Sequence, residues 1–170
     1  MKKIAKLGLL LLALVSINIS MSAQNFGYLN SQVILSKMPE VKQMEANLEA
    51  LQKQLQKQGE QMVANFKKQE QAAMQKQEKG ELSPIQQQTL GAELQKEQQK
   101  ILDFEKDMQK QLVEKRDALL KPILDKVNTA IKDVATEGKF QYIFDQGAGA
   151  ILYADPGQDV TQKVSTKLGL

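Results

Sequence analysis

Residues 38–121 consist of two helix-forming segments on either side of the hexapeptide Lys79-Gly80-Glu81-Leu82-Ser83-Pro84. Both segments are rich in Gln, Lys, Glu, Ala, Leu and Met, which are strong helix formers. In the hexapeptide, Gly80 can end one helix in a left-handed conformation, and Ser83 followed by Pro84 can begin the next. The sequence therefore predicts an antiparallel helical hairpin over residues 40–121, with a turn near 79–84. At 1.5 Å per residue, each arm extends roughly 55–60 Å.

The apolar residues of the first arm follow a coiled-coil pattern. Positions 44, 48, 51 and 55 are apolar and are spaced alternately by four and three residues. The second arm carries a comparable series between Leu90 and Ile123. Large side chains are dense near the base of both arms and sparse near the turn. We therefore expect a stable base and loosely packed tips.

Four apolar residues on the outer part of the hairpin are candidate contact residues for a bound protein. Methionine and phenylalanine at loosely packed positions form an adaptable, non-specific apolar surface. For two of the four, Met62 and Phe66, burial in the seam between the arms is the favoured alternative. The other two, Met74 and Leu82, are near the turn, and we expect exposure there at least as much as burial.

The N-terminus has the pattern of a secretory signal peptide. A basic start is followed by an apolar run from Leu7 to Ile19, which is shorter than the roughly 20 residues that a membrane span requires. We predict a signal peptide over residues 1–23, with cleavage after Ala23, rather than a membrane anchor. Removing its three lysines from the 23 basic residues leaves 20, which equals the number of acidic ones. A charge-balanced mature chain does not favour nucleic-acid binding.

The two ends of the mature chain, residues 24–39 and 122–170, predict a small body of short strands and helices. One strand is expected around Phe26–Leu29, and a β-hairpin is expected from residues 140–144 and 150–153 around the turn at 146–149. Pro122 lies within a helical pattern and is expected to bend the axis where the arm enters the body. Three short strands cannot close on themselves, so their edges predict pairing with another chain. The candidate oligomerisation residues are Phe26, Tyr28, Leu29, Phe140, Tyr142, Phe144, Ile151 and Tyr153.

Residues that could support enzymatic chemistry are scarce. The chain has no His and no Cys, which removes the commonest general base, the thiol nucleophile and the usual zinc ligands. The densest acidic cluster is Asp103, Glu105 and Asp107. Steps of two place these residues on different sides of a helix, and lysines lie within helical reach, so a solvated ion-pair surface is favoured over a metal or acid–base site. We predict no catalytic residue, no metal and no cofactor.

The ordered pattern resembles the Skp/OmpH family of periplasmic chaperones. The residues that carry the resemblance are Gly27-Tyr28-Leu29-Asn30-Ser31, Lys121-Pro122-Ile123, Phe140-Gln141-Tyr142-Ile143-Phe144-Asp145, Ile151-Leu152-Tyr153 and Asp159-Val160-Thr161, together with the leader and the Gln/Lys/Glu-rich hairpin. The resemblance implies a trimer in which strands of three subunits form the body and three arms surround a cavity. It also implies that unfolded outer-membrane proteins are held there without ATP. Known members are strongly basic, unlike this mature chain, so contact with membranes or lipopolysaccharide is left open.

The sequence thus predicts an α+β chain in which a coiled-coil arm projects from a small β-body that oligomerisation completes. The expected function is that of an ATP-independent periplasmic holdase for unfolded outer-membrane proteins. The alternative is a periplasmic coiled-coil adaptor or spacer that binds one folded partner, in which case Met74 and Leu82 would contact that partner. An enzyme that uses the acidic cluster is the least favoured hypothesis.

Overall fold

The computed structural model describes residues 25–170, and the predicted signal peptide lies outside that range. The elements, in chain order, are β1 (Phe26–Leu29), α1 (Ser31–Lys37), α2 (Pro39–Glu78), α3 (Pro84–Glu137), β2 (Tyr142–Asp145) and α4 (Thr161–Lys167). Two single 3₁₀ turns, Gln146–Ala148 and Pro156–Gln158, lie between β2 and α4. The predicted α+β class and the long antiparallel hairpin are confirmed.

The hairpin turn forms through the residues that predicted it. Gly80 adopts a left-handed conformation, with φ of 68°, after the end of α2. The Ser83 hydroxyl accepts a hydrogen bond from the backbone N–H of Gln86, whose side chain accepts one from the Ser83 backbone N–H. This reciprocal capping box fixes the first turn of α3, where Pro84 fits because its missing N–H needs no partner.

The core lies where the base of the hairpin meets the short elements. Its buried side chains come from β1, α1, the end of α3, α4 and the link between α1 and α2, and they include Leu29, Ile34, Met38, Val127 and Val164. Helix α3 runs through Pro122 without a break, and its first buried residue is the adjacent Ile123. From there to Val134 the helix shows one buried face, which packs against α4.

The sheet has two parallel strands rather than the three strands predicted. β1 pairs with β2 in the register Phe26 with Tyr142 through Leu29 with Asp145. On its other side, β1 meets the segment before α4, where the Val160 N–H donates to the Tyr28 carbonyl at 2.8 Å. The third segment beside β1 is therefore residue 159 and its neighbours, not residues 150–153.

The predicted β-hairpin over residues 140–153 is wrong. A 3₁₀ turn follows β2, and Gly149 ends it in a left-handed conformation instead of returning the chain alongside β2. Residues 150–153 are irregular, with Leu152 100% and Tyr153 85% exposed. A strand needs a neighbouring backbone to satisfy its N–H and C=O groups. Within the described part of one chain, this segment has none.

The glycine that follows α3 is not in the left-handed conformation that often ends a helix. Gly138 keeps a right-handed conformation, and the residue with positive φ is Lys139, at 51°. Glycine is required at 138 for space instead, since a Cβ there would lie 2.6 Å from Phe140 Cδ2 and closer still to Cε2. The Phe140 N–H donates to the Ala135 carbonyl, which folds the aromatic ring back over Gly138.

Candidate binding surfaces of the hairpin and the body

The hairpin interior is thinly packed along most of its length. Helix α2 has 40 residues, and its buried residues are Leu55 and Ala73. The predicted seam residues Met44, Leu48 and Leu51 are half-buried between the helices. Both helices therefore keep most of their surface open.

A groove of about 450 Å³ lies between the arms near the middle of the hairpin. Its floor is formed where the Phe104 ring passes over Gly59, so that a Cβ at 59 would lie 3.3 Å from Phe104 Cε1. Glycine inside a helix costs about 1 kcal/mol relative to alanine. The close approach of the Phe104 ring explains why position 59 is nevertheless a glycine. We call this the mid-arm groove; Leu55, Val63, Ala64 and Met108 also line it.

The four candidate contact residues lie around and beyond this groove. Met62 and Phe66 are half-buried between the helices, Met74 is exposed, and Leu82 is half-buried in the turn. Gly59, Ala64 and Phe104 were not among the residues that the sequence suggested as contacts. Gly59 interrupts a strong helix-forming pattern, and this was the one indication of the groove in the sequence.

The salt bridges found on the hairpin mostly join residues of the same helix rather than residues of different helices. Examples are Lys53 with Glu49 at 2.6 Å and Lys100 with Glu97 at 2.5 Å. Of the salt bridges found in residues 25–170, one joins α2 to α3, between Glu40 and Lys126 at the base. Direct ion pairing between the two arms is therefore limited to their base within the described residues.

The acidic cluster is a solvated surface. Asp103 accepts a hydrogen bond from Gln99 at 2.9 Å, and the lysine expected beside it, Lys100, pairs with Glu97 instead. Within the described range, no group of three potential ligands is arranged to hold a metal ion.

The body presents an exposed cluster of three aromatic rings. Phe26 stacks on its register partner Tyr142 with ring centroids 5.8 Å apart, and Tyr142 stacks on Phe144 at 6.2 Å. Their side chains are 40%, 61% and 50% exposed, respectively. Beside this aromatic cluster is a groove of about 600 Å³ that Ile151 and Tyr153 also line. Such a patch is unusual on a monomer and is typical of an interaction surface.

The remaining candidate oligomerisation residues have different environments. Leu29 and Tyr28 are buried in the chain's own body, although Tyr28 also lines the groove beside the aromatic cluster. Phe140 is half-buried against Gly27 and Gly138. The structure thus brings Phe26, Tyr142 and Phe144 together on the surface and places Leu29 in the core.

Asp145 ties the end of β2 to the start of α1. Its carboxylate accepts hydrogen bonds from Ser31 Oγ at 2.5 Å, from Ser31 N at 3.1 Å and from Gly147 N at 2.9 Å. Partial burial acts to raise the pKa of Asp145, but these three hydrogen bonds outweigh it and lower the pKa below its ordinary value. The charged form is therefore part of the folded body.

We expect the stability of the body to depend on pH through Asp145. Because its pKa is lower in the folded state than the unfolded value of about 3.9, its contribution is fully present above that value and is lost as the pH falls through the folded pKa. Between about pH 5 and pH 3, the Tm of the body should fall more steeply in the natural protein than in Asp145→Asn. The pKa values of Glu40 and Glu49 are also lowered, by hydrogen bonds from Lys126 and Lys53, but both residues are present in both proteins. Parallel pH profiles would contradict the assignment.

The fold and these surfaces define the class of the protein as an α+β chain with a coiled-coil hairpin and open apolar surfaces. In the range 25–170, no helix is both long enough and apolar enough to cross a membrane. Residues 25–168 match the profile of the family described as outer membrane protein (OmpH-like). The chain belongs to this family, whose members are chaperones rather than enzymes.

Two individual proteins show the likeness in sequence and in structure. The chaperone protein Skp of Yersinia enterocolitica is 38% identical over 61 residues, which is 36% of this chain and 34% of that protein. The sequence match thus spans about a third of the relative's length. A crystal structure described as an OmpH-like outer membrane chaperone from Caulobacter crescentus has a TM-score of 0.72 and 19% identity, covering 85% of this chain and 83% of that one. This likeness shows the shared fold.

Proposed function

We propose that this protein is an ATP-independent periplasmic holdase that encloses unfolded outer-membrane proteins between helical arms. The observation that carries the proposal is the open packing of the hairpin, in which the 40-residue helix α2 fully buries two residues, Leu55 and Ala73, and exposes most of the others. Many weak apolar and polar contacts along such arms would shield a client from aggregation without fixing its conformation. Met62, Phe66, Met74 and Leu82 are the proposed client contacts on the outer part of the hairpin.

The proposed enclosure requires several copies of the chain, and we propose a trimer. Residues 24–39 and 122–170 form the oligomerisation body in this arrangement, and residues 40–121 form the arm. The exposed aromatic cluster and the unpaired segment 150–153 support this division, because both offer apolar side chains and backbone groups that a second chain would cover.

The periplasmic location rests on the leader pattern of residues 1–23. N-terminal sequencing of the protein from a periplasmic fraction should begin at Gln24. Recovery of a chain that still begins at Met1 would contradict the cleavage, and absence of the protein from the periplasmic fraction would contradict the location.

The holdase proposal is tested by light scattering during dilution of a urea-denatured outer-membrane β-barrel protein. The purified protein, without ATP, should suppress the scattering at a near-stoichiometric ratio of oligomer to client. A folded β-barrel should not bind. Undiminished scattering would remove the holdase proposal, and tight binding of a single folded protein instead would favour the adaptor.

The oligomer proposal predicts that the double variant Tyr142→Ser with Phe144→Ser dissociates. Removing two exposed rings deletes apolar area that a partner would bury, at about 25 cal/mol per Å², while these side chains contribute little to the core of one chain. Mass measurement by light scattering after gel filtration should show a trimer for the natural protein and a monomer for the variant. The control is Leu102→Ser with Val113→Ser, which removes two exposed apolar residues from the hairpin. A natural protein that is monomeric, or a variant that keeps its mass, would refute the interface.

Hydrogen exchange tests the predicted difference between tip and base. Residues 66–94 contain one buried residue, Ala73, whereas residues 123–135 contain Ile123, Val127, Ala130 and Val134. Since exchange follows local opening, amides in 66–94 should exchange faster. Equal protection of the two ranges would show that the tips are as stable as the base.

A further inference from the structure

The mid-arm groove marks an interruption in the seam of the hairpin. The seam of α2 alternates steps of four and three residues through Met44, Leu48, Leu51 and Leu55. The next position in this series is residue 58, which is an exposed glutamine. A coiled-coil seam would place an apolar side chain there, between the helices. Gln58 is exposed and Gly59 carries no side chain, so in this layer the Phe104 ring of α3 lies directly against the backbone of α2 and forms the floor of the groove.

The groove has the size and lining of a ligand site. Its volume of about 450 Å³ lies within the range of about 300–1,000 Å³ that is typical of sites for small ligands. The walls are apolar and come from both helices, with Val63 and Ala64 on one side and Phe104 and Met108 on the other. One large side chain and its adjoining backbone therefore fit the space.

The rim of the groove carries more negative than positive charge. Among the residues that line the groove, three are charged: Glu60 from α2, Glu105 from α3 and Lys67. Glu60 also accepts a hydrogen bond from Gln56 at 3.4 Å, which leaves its negative charge in place. A cationic side chain next to the inserted group would complement this rim.

We propose that the mid-arm groove is a subsite for one aromatic side chain of an extended, unfolded polypeptide, with a basic residue two positions from it. This inference rests on the proposed function and deepens it by assigning a sequence preference to part of the client surface. Strands of outer-membrane barrels alternate apolar and polar residues and carry aromatic girdles. In an extended segment, alternate side chains point to the same side. When an aromatic residue enters the groove, a basic residue two positions away therefore faces the charged rim, while the residue between them points to solvent.

The inference is tested first on the natural protein with labelled peptides of about ten residues, the length of one membrane-spanning strand. A peptide with Arg and Phe two positions apart at its centre (Arg-Ala-Phe, called the Arg-Phe peptide) should bind, as measured by fluorescence anisotropy. Replacing its Phe by Ala should weaken binding on the order of tenfold, and replacing its Arg by Glu should weaken it roughly threefold at low salt. Equal affinities of the Phe and Ala peptides would overturn the proposal.

The location is tested with a benzophenone side chain in place of the peptide's Phe. Irradiation and mass spectrometry should find crosslinks at Met108, Val63 or Ala64. Crosslinks confined to the hairpin tip or to the body would overturn the assignment even if the peptide binds.

A variant that fills the groove provides the third test. Ala64 is exposed and lines the groove, so Ala64→Leu occupies the space while keeping a strong helix former. The matched control is Ala50→Leu, at an exposed position of the same helix away from the groove. Ala64→Leu should weaken binding of the Arg-Phe peptide roughly fivefold or more, with the control within about twofold.

Aggregation assays separate this inference from the proposed function. If the natural protein fails to suppress aggregation, the holdase proposal fails, whatever the peptides do. If it suppresses aggregation and Ala64→Leu binds the peptide as well as the control does, the subsite is wrong and the holdase stands.

Discussion

Gly138→Ala is expected to lower the free energy of unfolding of the body by about 2–3 kcal/mol, within the upper range for overpacking a filled site. A methyl group at 138 would collide with the Phe140 ring, which is itself packed against Gly27. Relief would require the ring to leave its position between the end of α3 and β1. The three tyrosines, Tyr28, Tyr142 and Tyr153, all lie outside the hairpin, and the chain has no Trp, so tyrosine fluorescence follows unfolding of the body alone.

Gly91→Ala is the matched control for this substitution. It lies in the same helix, and a Cβ there would meet no atom within 4 Å. Since alanine is a better helix former than glycine, this variant should stabilise the hairpin by about 0.5–1 kcal/mol, seen as a higher midpoint in far-UV circular dichroism. Its tyrosine-detected transition should not fall. Equal effects of the two substitutions would show that helix propensity, rather than contact with Phe140, determines the choice of glycine at 138.

Asp145→Ala is expected to destabilise the body by about 3 kcal/mol, because hydrogen bonds to a charged group contribute about 1.5–3 kcal/mol each and do not add fully. The substitution leaves the hydroxyl and the backbone N–H of Ser31 without their acceptor, and it frees the N–H of Gly147. Urea unfolding detected by tyrosine fluorescence measures the loss.

Asp155→Ala provides the comparison, because both aspartates begin an Asp-X-Gly turn. The Asp155 carboxylate accepts a hydrogen bond from Gly157 N at 2.8 Å in an exposed turn, with no link to another element. Loss of this one hydrogen bond should lower the free energy of unfolding by about 1 kcal/mol or less. If the two variants were equally destabilised, the contacts between Asp145 and Ser31 would contribute nothing beyond the local turn.

The parts of the fold that could be predicted from the sequence depend on contacts between neighbouring residues. Gly80, Ser83 and Pro84 act within one turn of the chain, so their pattern identified the hairpin and its ends. The spacing from Met44 to Leu55 identified the packed side of α2 for the same reason. Asn30 caps α1 by accepting from the Val33 N–H, which is also a local contact.

The parts that could not be predicted depend on which distant segments meet. The apolar run at 150–153 has the composition of a strand, but β1 is already flanked by β2 and by the segment at residue 159. Composition does not specify the partner of a strand, nor the parallel direction of β1 and β2.

The candidate site was predicted less completely than the fold. Met62, Phe66, Met74 and Leu82 were selected because they are large and apolar. The mid-arm groove depends instead on small residues, Gly59 and Ala64, that leave space between the helices. A space between two helices leaves no pattern in the amino-acid sequence. It can be recognised only when the position of the facing residue, Phe104, is known.

The hydrogen bond between Ser31 and Asp145 joins residues 114 positions apart, which has a consequence for the order of folding. The two arms can pair as soon as both have emerged, starting at the turn around Gly80, because the first contacts between them are close in sequence. The N-terminal strand has to wait for nearly the whole chain to be released before its partners exist. A nascent chain that stops before residue 142 would therefore contain a folded hairpin, but the sheet at the base of that hairpin would not yet have formed.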